Sequence, residues 1–171
     1  MEDLSQTVDD LLESIHEFSP EEWAATKPTS SEKWSIIGKA LQAAVAIYCI
    51  TSLQSVSVLS CNQSLRARCA AQGQLLYLLL KDAMLSPPIK RAMLWPLALL
   101  GVEAVNGSAT MRDFVKNQLT EMSREFGTYV PLTTRAVLEG FWESGATRWD
   151  SCFDKSYICT AQIAVDFGGI L

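Results

Sequence analysis

The sequence predicts an all-α fold: a helical bundle of about six to eight helices in one domain spanning residues 1–171, with one proline-kinked buried helix. Three observations carry that expectation. Apolar residues recur at spacings of three and four along most of the chain, which is the period of a helix face. Cap and stop signals punctuate the pattern at helix-length intervals. There is no hairpin signature, no strand–helix alternation and no internal repeat.

The elements follow in order. Leu4, Val8, Leu11, Leu12, Ile15 and Phe18 form one apolar stripe, opposed by Glu2, Asp3, Asp9, Asp10, Glu13 and Glu17. Ser19-Pro20-Glu21-Glu22 then supplies an N-cap, a proline for the first helical position and acids for the first turn, so a short helix through Trp23 is expected. Thr29 to Glu32 has capping-box spacing ahead of a long helix from Trp34 to about Val58, apolar on more than one side and so expected at the bundle's centre. Residues 64–85 make a further helix with Leu65, Cys69, Leu76, Leu79 and Leu80 turned inward. Ser108 caps a helix that Gly127 ends, and Thr133 or Thr134 opens another that Gly145 ends. Ile158 to Val165 reads equally as a short helix or an extended strand.

Between these lies the most informative segment, Ile89 to Val105. It follows Ser86-Pro87-Pro88, stops at Asn106-Gly107, and is apolar apart from Lys90 and Arg91 near its start and the single carboxylate of Glu103. Pro96 falls in its middle, where an interior helical proline costs about 3 kcal/mol. A break at that point is expected either to bend the helix around a filled core or to open a pocket beside a freed carbonyl. An apolar ligand with one polar handle fits the second case, and Tyr48, Met93, Trp95, Glu103 and Trp142 are the residues expected to line it.

Composition narrows the function. At 49% hydrophobic and 19% charged residues the chain is richer in apolar groups than an average domain, and its net charge is −5. Its basic residues are scattered, with Arg66/Arg68 and Lys90/Arg91 the densest pairs, so no basic stripe for phosphate contact is expected. Five cysteines, an odd number, and an acidic amphipathic start predict a soluble intracellular protein. The longest uninterrupted apolar run, Ala43 to Ile50, is short for a membrane span.

Catalytic signatures are missing. The single histidine, His16, lies among acids on the polar side of the first helix. No nucleophile elbow, phosphate loop or dinucleotide fingerprint is present. The cysteines at 49, 61, 69, 152 and 159 contain no close pair of the kind zinc requires, so no metal and no cofactor is expected. Glu103 and Glu139 have the most apolar surroundings of the acids and are the candidates for a carboxylate pair. A separate second reading is a stand-alone biosynthetic enzyme, a cyclase or isomerase using a helical pocket as a shape template, since reactions controlled by orientation need no dedicated nucleophile.

A set of segments, in order along the chain, resembles one family. The first are Phe18-Ser-Pro-Glu-Glu-Trp23, Leu41-Gln-Ala-Ala-Val-Ala-Ile-Tyr-Cys-Ile50 and Ile89-Lys-Arg-Ala-Met-Leu-Trp-Pro-Leu97. Gly101-Val-Glu-Ala-Val105, Met111-Arg-Asp-Phe-Val115, Pro131-Leu-Thr133, Val137-Leu-Glu-Gly-Phe-Trp142 and Trp149-Asp-Ser-Cys-Phe153 continue it. Together they resemble the C-terminal regulatory domain of fungal zinc-cluster transcription factors. The resemblance implies an all-helical effector module that answers a small molecule or a protein partner, a homodimer included, and works in the nucleus, or alternatively in the cytoplasm. The chain has neither the six-cysteine cluster nor its basic linker, and the N-terminal part of the usual domain is missing. A fragment, a truncated product or a stand-alone relative is therefore expected, without direct nucleic-acid contact.

Overall fold

A computed structural model describes residues 2–28 and 30–153. Among the described residues all regular structure is helical: α1 (Glu2–Glu17), α2 (Pro20–Ala25), α3 (Ser31–Ser55), α4 (Gln63–Ala83), α5 (Pro87–Lys90), a 3-10 turn (Arg91–Met93), α6 (Leu94–Glu103), α7 (Ala109–Phe126), α8 (Val130–Ser144) and α9 (Trp149–Cys152). The all-α expectation holds. The ambiguous stretch from Ile158 to Val165 lies outside the described residues.

Several boundaries sit where cap chemistry places them. Ser19 accepts a hydrogen bond from the Glu22 N–H at 3.2 Å, and Ser108 accepts one from Met111 at 3.2 Å. Gly127 (φ 64°) and Gly145 (φ 71°) end α7 and α8 in the left-handed conformation that favours glycine. Other ends differ from the sequence reading. Asn62 caps α4, its side-chain oxygen accepting from Leu65 N–H at 2.8 Å. α3 starts without a side-chain cap bond from Ser30, and α8 opens at Val130 with Pro131 in its first turn, ahead of Thr133.

Helix α3 is the bundle's axis. It packs against α1, α2, α4, α6 and α9, and Ala40, Ala43 and Ala44 are completely or almost completely buried, so small side chains let its neighbours come close. By length and composition α3 is also able to cross a bilayer, a property the short uninterrupted run did not reveal. In the bundle its apolar sides are divided among several helices. Its polar Gln42 is used as well: the amide donates to the carbonyls of Ile15 (2.7 Å) and Phe18 (2.9 Å), closing the end of α1.

The proline-interrupted segment is resolved into three pieces. The chain makes one turn of α5, tightens into the 3-10 turn, and restarts as α6 with Pro96 as its third residue. In the first turn of a helix the N–H has no partner four residues back, so the proline avoids most of the cost of an interior site. Met93, Pro96 and Leu97 are all buried there. From Leu97 to Glu103, α6 is buried on every side, with α3, α4, α7 and α8 around it.

Contact between α6 and α8 is close because position 101 has no side chain. A methyl group built on Gly101 would fall 2.9 Å from Leu138 Cδ2, and nearer still to its other methyl, with Leu138 fully buried. Replacing Gly101 by alanine is expected to lower the unfolding free energy by about 1–3 kcal/mol. Chemical denaturation checks this, and Gly101→Ala combined with Leu138→Ala is expected to cost less than the sum of the single changes, because the two share one space.

Candidate binding cleft

The end of α6 is held by side chains from two other helices. Val105 N–H turns back to the Val102 carbonyl, leaving the Gly101 carbonyl without its usual partner, and the Trp142 indole N–H donates to it at 2.8 Å. The Arg112 guanidinium donates to the carbonyls of Ala104 and Val105, both at 2.9 Å, which suits a cation at a helix C-terminus. This fixes the position of Glu103.

Glu103 is 5% exposed and forms a two-pronged ion pair with Arg66 of α4, one prong being Nη1 to Oε2 at 2.9 Å. A bidentate guanidinium satisfies both carboxylate oxygens, as burial of the charge demands. Space for the carboxylate comes from α4: a Cβ on Gly73 would stand 2.6 Å from Glu103 Cγ. Gly73 thus carries the side chain of Glu103 across the α4–α6 contact.

A cleft of about 390 Å³ opens beside this pair. Thr51, Gln54 and Ser55 from the end of α3 form one wall, and Cys61, Asn62, Gln63, Arg66 and Cys69 from the start of α4 form another. Val102, Glu103 and Asn106 lie at the end of α6, and Thr147, Arg148 and Trp149 close the rim. Arg148 ties that rim down, donating to the Ser55 carbonyl at 2.8 Å and to Asp150 at 3.0 and 3.1 Å. The same guanidinium holds the Asp150 carboxyl below the usual range. The cleft combines amide and hydroxyl side chains with the apolar faces of Trp149 and Val102.

The five residues expected to line a ligand pocket are not gathered in one place. Glu103 lines the cleft. Tyr48, 41% exposed, stands in an aromatic row beside it, 6.0 Å from Trp95 and 5.2 Å from the cleft residue Trp149, ring centre to ring centre. Met93 is wholly inside the core, and Trp142 is engaged with α6. The second acid considered, Glu139, lies on α8 and pairs with Arg135 (3.0 Å) and Lys116 (3.7 Å). Glu103 is the only carboxylate among the cleft's described lining residues, and Glu139 is not among them. Of the residues that line the cleft, Glu103 alone is among the five expected from the sequence; Arg66, which neutralises it, is not.

Two thiols face the cleft in different states. Cys61 is exposed, whereas Cys69 is buried and desolvation raises its pKa, partly offset by Arg66 and Arg68. Desolvation likewise raises that of Cys49. Of these three, Cys61 is expected to be alkylated first by iodoacetamide at neutral pH, with Cys49 and Cys69 following only as the chain unfolds, which peptide mass mapping would read directly.

Comparison with known proteins places this architecture. The chain belongs to the fungal specific transcription factor domain family, whose model matches residues 1–159. A curated relative, described as the phomenoic acid biosynthesis cluster-specific transcriptional regulator of Leptosphaeria maculans, is 53% identical over 165 residues. That match takes in 96% of this chain and 32% of the relative, so the chain spans about a third of the relative's length. No solved structure matches the chain. The chain is a transcription-regulator domain by family.

The ion pair gives a clear expectation for stability. Arg66→Met is expected to destabilise the fold by about 2–3 kcal/mol, because Glu103 is left buried without its partner. Arg66→Met with Glu103→Met is expected to recover much of that loss, since no unpaired charge then remains; urea denaturation of the three variants tests the cycle.

Proposed function

We propose that this chain is the effector-sensing module of a fungal regulator of a biosynthetic gene cluster, acting in the nucleus through a bound small molecule or protein partner and not through direct DNA contact. The single observation that carries the reading is the position of the cleft. Its walls are the end of α3, the start of α4, the end of α6 and the approach to α9, so anything seated there bridges four segments. A ligand that favours one mutual arrangement of those segments shifts the population toward it by its differential affinity. Trp149 and Val102 offer apolar contact, while the amides of Gln54, Gln63 and Asn106 offer hydrogen bonds, which fits an amphipathic molecule with a polar end.

Support for the regulatory reading comes from the family and from the name of the relative in Leptosphaeria maculans. A net charge of −5 with no basic stripe supports leaving DNA contact to another part of a regulator. The two candidate acids do not converge: Glu103 lines the cleft paired with Arg66, and Glu139 is held by Arg135 away from it.

Thermal melts in the presence of fatty acids, fatty alcohols and related amphiphiles below their micellar concentration provide the test. A ligand at a hundred times its Kd is expected to raise Tm by about 5–10 °C for a domain of this size. Trp149→Ala, and Ser55→Trp placed to fill the cleft, are expected to abolish the shift. A shift that survives both variants would sink the cleft as the seat of the ligand. No shift with any amphiphile would leave protein partners as the signal.

A further inference from the structure

The cleft taken above as the ligand's seat also restricts the head group a ligand can carry, because its charges are already committed. Arg66, Glu103 and Arg148 are the only charged side chains among the cleft's described lining residues. Both carboxylate oxygens of Glu103 are held by the Arg66 guanidinium. Arg148 is engaged with the Ser55 carbonyl at 2.8 Å and with the two oxygens of Asp150 at 3.0 and 3.1 Å. An ammonium end would find no carboxylate oxygen in that lining that a guanidinium does not already hold. A carboxylate end could reach only the outer N–H groups of arginines shared with Glu103 and Asp150, which repel it. Either charge would give up its hydration without gaining a counter-charge of its own.

Uncharged groups are open to a ligand. Among the described residues the side-chain amides of Gln54, Gln63 and Asn106 have no hydrogen-bond partner, and each can both donate and accept. Thr51 and Ser55 use their hydroxyl hydrogens on the carbonyls of Ile47 (2.8 Å) and Thr51 (3.0 Å), so toward a ligand they act as acceptors. Asn62 is the converse: its side-chain oxygen takes the Leu65 N–H, which leaves the amide hydrogens to donate. Resting on the cleft reading, we propose that this site selects an uncharged molecule whose polar end carries hydroxyl or primary amide groups, able to donate and accept at once. Its apolar part lies on Trp149 and Val102. An acid, an amine or an ester of the same chain length is rejected, the ester because it has no hydrogen to give to Thr51 and Ser55.

Calorimetric titration of the whole chain at pH 7.5 with octanamide, octane-1,2-diol, octanoate, octylammonium and methyl octanoate tests the proposal. The amide and the diol are expected to bind about tenfold tighter than the other three, and Trp149→Ala to abolish their binding. Glu103→Gln keeps the shape of the side chain but frees the Arg66 guanidinium, so octanoate is expected to gain about tenfold while octanamide changes little. A merely structural role for Glu103 would not reverse that preference. Gln54→Leu combined with Asn106→Leu is expected to weaken octanamide about tenfold without strengthening methyl octanoate, and this pair leaves the buried ion pair intact. Charged probes that bind as tightly as octanamide and are lost in Trp149→Ala would overturn the head-group selection while leaving the cleft as the ligand's seat. Octanamide binding unchanged by the Gln54 and Asn106 pair, or octanoate unimproved by Glu103→Gln, would overturn it in the same way. Absence of binding by all five probes, or binding indifferent to Trp149→Ala, would overturn the selection and the cleft together.

Discussion

A carboxylate taken into the interior must be neutralised where it stands, and the neutralisation of Glu103 governs how the centre of this bundle is assembled. Breaking such a pair from one side costs several kcal/mol, comparable to a large part of a domain's net stability. Helix α6 is therefore held at one depth against α4, with Gly73 giving the room and Arg66 the counter-charge. The same point is gripped from the other side by Trp142 and Arg112, which take the last carbonyls of the helix. One charge thus organises four helices around it.

The opposite end of the segment repeats the device. Lys90 is nearly buried and donates to Glu125 of α7 at 2.7 Å, with Glu121 3.5 Å away. The register of α6 is set by close packing, Gly101 on Leu138 among it, and charge adds to that. Ion pairs anchor both ends of the stretch from Lys90 to Glu103. The change from the 3-10 turn to the α-helix, at Met93–Leu94 with Pro96 in the turn that follows, falls between the two anchors.

Much of the architecture was legible because helix signals are local. Ser19, Ser108, Gly127 and Gly145 occupy the ends they indicate, since a cap depends on residues only three or four away. The site was less legible because it depends on approach between distant residues. In the sequence Arg66 is one of a basic pair with Arg68, yet it stands three residues before Cys69, in line with the row that α4 buries. That position, together with the single acid in α6, was the available signal for an ion pair. Met93 and Trp142 are large apolar groups expected to line a pocket, but volume alone does not distinguish a pocket wall from a packed core.

The N-terminal helix has a different attachment from the rest. Val8 and Leu12 belong to a small apolar cluster with Cys49, Ile50 and Cys69, separate from the main core, and the polar ties include Gln42 and the Arg68 contact to the Leu12 carbonyl at 3.3 Å. A terminal helix held by a cluster of its own does not need the main core to open before it opens, so the amides of α1 are expected to exchange with solvent ahead of those of α6.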